Sequence, residues 1–64
     1  MELPRILRRQ DVEKVVGLSR SAIYAAMDRG EFPRPIRLGR RAVGWQLAAI
    51  EAWLEERPIS HGWT

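Results

Sequence analysis

The segment Gly17-Leu18-Ser19-Arg20-Ser21-Ala22-Ile23-Tyr24 constrains the fold more than any other part of this chain. Glycine takes a left-handed backbone at little cost, so Gly17 is suited to end a helix over Arg9 to Val16. Ser19 offers an oxygen to the amides of the next first turn, which predicts a second helix over Ser19 to Arg29. Two helices joined by so short a turn cross steeply, as in a helix-turn-helix. That motif sets its second helix in a DNA groove, with the first-turn side chains closest to the base edges. Arg20, Ser21 and Tyr24 fall on the open side of that helix.

The apolar spacing supplies the remaining elements. Val12, Val15 and Val16 form a stripe on the first helix, and Ile23, Ala26 and Met27 form one on the second, with Gly30 as its stop. Phe32-Pro33-Arg34-Pro35 is extended, because each proline pushes its predecessor out of the helical region. Ile36-Arg37-Leu38 and Ala42-Val43-Gly44-Trp45 then flank Gly39-Arg40-Arg41, an alternating pattern around a glycine-containing connection that predicts a β-hairpin. Ile36 and Leu38 are expected to share one face with Arg37 pointing out, and Val43 and Trp45 to share theirs. Leu47, Ile50, Trp53 and Leu54 mark a third helix over Gln46 to Arg57, ended by Pro58. Leu3 to Leu7 is expected to run extended against this sheet, and residues 58–64 to form a flexible tail.

The result is one domain over 1–64 with its core at 6–57. It is mostly α with a small β-hairpin, a winged helix-turn-helix in which Arg40 and Arg41 tip the wing. The expected core is Leu7, Val12, Val15, Val16, Leu18, Ile23, Met27, Phe32, Ile36, Leu38, Val43, Trp45, Leu47, Ile50, Trp53 and Leu54.

Charge is unevenly spread. Residues 5 to 41 hold ten of the eleven Lys and Arg against four acids, while residues 42 to 64 hold Arg57 against Glu51, Glu55 and Glu56. All the cations but Lys14 are arginines, the side chain best matched to phosphates and guanine edges. A basic two-thirds ahead of an acidic helix suits one face turned to a polyanion. There is no cysteine, so neither disulfides nor thiolate metal sites are available, and the lone His61 has no neighbouring ligands, so a zinc site is not expected. No membrane span or signal peptide is visible, which predicts a cytoplasmic protein. A walled pocket of roughly 300 Å³ or more is hard to build from so short a chain, and no nucleophile–base pair or phosphate-cradling loop is present. An enzyme is not expected.

The candidate contacts divide by role. Ser19 caps the second helix, and a helix N-terminus also favours an anion. Arg20 is placed for groove contact, with pairing to Asp28 or Glu31 as the bland alternative. Ser21 is either a base contact or a solvated residue, and the Tyr24 hydroxyl is expected to reach a phosphate, with a half-buried core place as the alternative. Arg40 and Arg41 suit phosphate or minor-groove contact, with Arg37, Arg8 and Arg9 as further backbone contacts.

Read with Gly30-Glu31-Phe32-Pro33-Arg34-Pro35-Ile36-Arg37-Leu38-Gly39-Arg40-Arg41-Ala42-Val43-Gly44-Trp45 and Ile50-Glu51-Ala52-Trp53-Leu54, the opening segment resembles the AlpA-type regulators. These are small phage and prophage proteins related to excisionases and to the MerR DNA-binding domain. The resemblance covers about residues 6 to 57. It implies a winged helix, no cofactor, and binding to double-stranded DNA that either activates transcription of an integrase gene or acts architecturally in excision. The position after the second-helix tyrosine is often basic in such proteins; here it is Ala25, which shifts load to the wing arginines. The implied partners are DNA and an integrase or RNA polymerase, with self-association on repeated sites. A different class of reading is an interaction adaptor that uses the third helix and Trp63. RNA binding is a further alternative, but its aromatic stacking platform is missing.

Overall fold

Helix ends fall where the capping residues place them. The computed structural model describes residues 5–60, so Leu3, Pro4, His61 and Trp63 lie outside the described residues. Helix α1 (Arg9–Val16) stops at Gly17, whose φ of 73° is the left-handed conformation and whose N–H donates to the Glu13 carbonyl at 2.9 Å. Helix α2 (Arg20–Asp28) starts after Ser19, whose Oγ accepts from the Ala22 amide at 3.2 Å. Its far end closes on Gly30, also left-handed at φ 71°. There the Gly30 N–H donates to the Met27 carbonyl and the Glu31 N–H to that of Ala26, the paired bonds of a Schellman stop.

Three short strands form an antiparallel sheet in the order β1-β3-β2, with β1 at Ile6–Leu7, β2 at Ile36–Arg37 and β3 at Val43–Gln46. Helix α3 (Leu47–Glu55) follows β3 directly, so Gln46 ends the strand and caps the helix instead of opening it. The pairing of Leu7 with Trp45 and of Ile6 with Gln46 brings the expected N-terminal extended segment onto the sheet. Among the described residues no helix is long and apolar enough to cross a membrane.

Register corrects the expected facing of the hairpin. Ile36 pairs with Gly44 and Arg37 with Val43. Residues directly opposite each other share a face, so Arg37 and Val43 stand on the Leu7–Trp45 side, while Ile36 and Gly44 stand on the other. Gly44 shows why that outer face needs a glycine. A Cβ there would lie 2.6 Å from Ile6 Cγ2, 3.1 Å from Leu38 Cδ1 and 3.1 Å from the Leu7 carbonyl oxygen. Ile36 and Leu38 therefore cover an outer surface and remain exposed rather than joining the core. Val43 faces the core side but sits toward the hairpin tip, and it too is exposed.

The buried centre is Leu7, Val12, Ile23, Ala26, Phe32, Trp45 and Ile50, with Val16, Leu18, Met27, Leu47 and Trp53 packed against it. Val15 was expected inside and is 48% exposed. The inward arc of α1 runs through Arg9, Val12, Glu13 and Val16, and at 3.6 residues per turn Val15 falls roughly 100° away from its middle. Leu54, also expected inside, lies at the exposed edge of α3.

Two tryptophans fix the connection between α2 and the hairpin. Trp45, fully buried, donates its indole N–H to the Pro33 carbonyl at 2.8 Å. Trp53 donates to the Glu31 carbonyl at 2.8 Å and meets Phe32 edge-on, with centroids 4.8 Å apart. The Glu31–Pro33 segment belongs to no helix or strand, so its carbonyls need side-chain donors, and these indoles supply them.

Candidate nucleic-acid interface

Helix α2 buries Ile23 and Ala26 and turns Arg20, Ser21, Tyr24 and Ala25 outward. At 3.6 residues per turn Ser21 and Tyr24 fall well away from Ile23 and Ala26, while Arg20, three residues before Ile23, is exposed at the open first turn. No acidic residue stands in its first turn. Ser19 spends its hydroxyl on the Ala22 amide, and the helix N-terminus keeps its positive end open to solvent.

The bland alternative for Arg20 is not realised. Glu31 is engaged by Arg29, at 2.8 Å from Nε, and among the described residues no carboxylate is within ion-pair reach of Arg20. The guanidinium lies instead over the Tyr24 ring, with Cζ 5.7 Å from the centroid. Tyr24 itself is 39% exposed, so it is neither core nor fully free.

The hairpin forms a second exposed basic unit. Bonds from the Leu38 and Gly39 amides to the Ala42 carbonyl, at 2.7 and 3.2 Å, close the loop that carries Arg40 and Arg41. Arg37, Arg40 and Arg41 are all exposed. The structure thus brings Arg20 into contact with Tyr24 and groups the hairpin arginines on one strand and turn. The Glu31–Pro33 segment joins the two groups, held by Trp45 and Trp53.

The arginines at the start of α1 are differently engaged. Arg9 is paired with Glu13 one turn on. Arg8 reaches 35 residues along the chain and donates to the Val43 carbonyl at 3.4 Å, tying the α1 N-terminus to the start of β3. Neither this tie nor the tryptophan bonds were found from the sequence. The only available signal was chemical: an indole N–H in a core needs an acceptor, and a proline-rich segment leaves carbonyls unclaimed.

An open groove of about 550 Å³ lies between β1 and the start of α3, lined by Arg5, Ile6, Gln46, Leu47, Ala48 and Glu51. Its lining holds one carboxylate and no serine, histidine or cysteine.

Comparison with known proteins places these features in a lineage. A family model described as prophage CP4-57 regulatory protein (AlpA) matches residues 5–58, which hold every element of the fold. The uncharacterized protein ORF88 of Enterobacteria phage P4 is 42% identical over 53 residues, covering 83% of this chain and 60% of that protein. The DNA-binding transcriptional activator AlpA of Escherichia coli (strain K12) is 36% identical over 59 residues, covering 83% of this chain and 84% of that protein. The chain belongs to the AlpA prophage regulatory family. It spans less than two thirds of the length of the phage P4 relative.

Proposed function

We propose that this protein is a sequence-specific double-stranded DNA-binding transcriptional regulator, built as a winged helix-turn-helix of the MerR and excisionase kind. In this reading α2 enters the major groove and the β2–β3 hairpin is the wing beside it. The observation that carries the proposal is the division of α2: its inner face closes the core, while Ser19, Arg20, Ser21 and Tyr24 stand together at its exposed N-terminal end. Arg20 is assigned to base edges, Ser19, Ser21, Arg37, Arg40 and Arg41 to the groove and its phosphates, and Tyr24 to the exposed face beside Arg20. Family membership, and a relative that is itself a DNA-binding transcriptional activator, support the same reading.

One such module covers roughly 600–1,000 Å² of its own surface on DNA, too little to single out a site in a genome. The protein is therefore assigned several copies on repeated sites, or cooperation with an integrase or RNA polymerase. As one domain centred on residues 6–57, it acts in the cytoplasm on a phage or mobile-element target. Selection from a random duplex library at low salt tests this, because the recovered site reports base preference, half-site spacing and copy number. Failure to enrich any sequence would sink the proposal. A reporter assay run beside an excision assay then ranks activation against a directional role in recombination; loss of excision with integrase transcription unchanged would reverse the ranking.

A further inference from the structure

Arg20 and Tyr24 stand about one turn apart on the exposed side of α2, and Arg20 Cζ lies 5.7 Å from the Tyr24 ring centroid. That separation is inside the ~6 Å range over which a ring face attracts a guanidinium. Nothing competes for the arginine: α2 has no acid in its first turn, and both ion pairs among the described residues use other arginines. Ala25, next to the tyrosine, is too short to interfere. An arginine side chain has many rotamers, and freezing them weakens any contact it makes. A guanidinium resting on a ring has already given up part of that freedom while keeping N–H groups free for O6 and N7 of a guanine.

We propose that Tyr24 is a positioning residue for base readout. Its ring, rather than its hydroxyl, holds the Arg20 guanidinium over the exposed face of α2, so Tyr24 sets base preference through Arg20. This assignment rests on the DNA-binding reading above, and it replaces a hydroxyl–phosphate contact as the reason for a tyrosine at this position.

Two variants separate the ring from the hydroxyl. Tyr24→Phe keeps the ring and should bind the selected site as the wild type does, with the same preference at every base. Tyr24→Leu removes the ring while keeping an apolar helix residue. It should lose about 2- to 5-fold in affinity, the worth of an exposed cation–π contact. The loss should fall on discrimination at the base position that Arg20→Ala also relaxes, and it should vanish when Arg20 is already alanine. A second readout needs no DNA. In the free protein the Arg20 side-chain protons should show a ring-current shift in the wild type and in Tyr24→Phe that disappears in Tyr24→Leu, with circular dichroism confirming that each variant is folded.

Uniformly weakened binding in Tyr24→Phe would overturn the assignment in favour of the hydroxyl. Unshifted Arg20 protons in the wild type would overturn it as well. A wild type that shows the ring-current shift yet selects no sequence overturns the DNA-binding reading, and base readout with it, which distinguishes the two failures.

Discussion

The α1–α2 region and the hairpin–α3 region are built in different ways. The first is specified by neighbours in sequence. Gly17 ends one helix through its own φ, Ser19 starts the next through a hydrogen bond three residues away, and Gly30 closes it. The second is specified by distant partners. Leu7 pairs with Trp45, Trp45 reaches back 12 residues to Pro33, and Trp53 reaches 22 residues to Glu31. Local capping sets where the candidate recognition helix begins and ends, while burial of Ile23 and Ala26 holds it to the core. The course of the segment between that helix and the hairpin depends on two indoles, and the close approach of β1 to β3 on one glycine. A change to a cap in the first region should therefore cost little stability and act at one place, whereas a change to a long-range partner in the second should loosen the whole domain.

The largest expected effect comes from breaking the second region at its centre. A domain of this size has a total stability of roughly 3–10 kcal/mol at 0.05–0.15 kcal/mol per residue. Trp45→Ala empties the largest fully buried side chain and strands the Pro33 carbonyl, at a cost of about 3–5 kcal/mol. Thermal and urea unfolding should show a domain that has lost about a third or more of its stability. A cooperative transition near that of the wild type would mean that the hairpin is not held through Trp45.

Gly44→Ala is a smaller break in the same region. Its φ is ordinary, so the cost is one of space: the new methyl meets Ile6, Leu38 and the Leu7 carbonyl. Side chains of Ile6 and Leu38 can move, but the Leu7 backbone cannot without opening the β1–β3 pairing. We expect a loss of about 1–3 kcal/mol, the usual cost of overpacking, measured by urea denaturation. A neutral substitution would show that β1 is free to shift.

Ser19→Ala probes the first region and should cost least, about 1 kcal/mol for a lost helix cap. Because the defect is local, hydrogen exchange should rise at the first amides of α2 and stay unchanged in β3. Equal loosening of both regions would erase the distinction between them.

That distinction also explains what the sequence disclosed. The ends of α1, the cap of α2 and the existence of the hairpin were legible because each depends on residues a few positions apart. The outward placement of Ser21 and Tyr24 followed from helical period, and that of Arg20 from its place at the start of the helix. Hairpin register was not legible, because alternation says which residues share a face but not which face meets the core; only the pairing of Ile36 with Gly44 decides that. Ile36 and Leu38 were accordingly misassigned to the interior, whereas Val43 stands on the core side and is exposed for its place toward the hairpin tip. The Arg20–Tyr24 contact lay within reach of sequence reasoning, since both stand on one exposed helix face at a spacing of i, i+4. The tie from Arg8 to Val43 did not, because it crosses from one region to the other.

The central claim is that α2 reads sequence while the hairpin arginines hold the DNA backbone. It is tested most directly by measuring site preference and salt dependence together for Arg20→Ala and for the double variant Arg40→Ala/Arg41→Ala. Arg20→Ala should lose ~1–3 kcal/mol on the best site and relax preference at one base position. The double variant should weaken binding to all sequences about equally and flatten the salt slope by roughly 0.9 for each phosphate contact removed. Unchanged base preference in Arg20→Ala, or altered preference with an intact salt slope in the hairpin variant, would contradict the account.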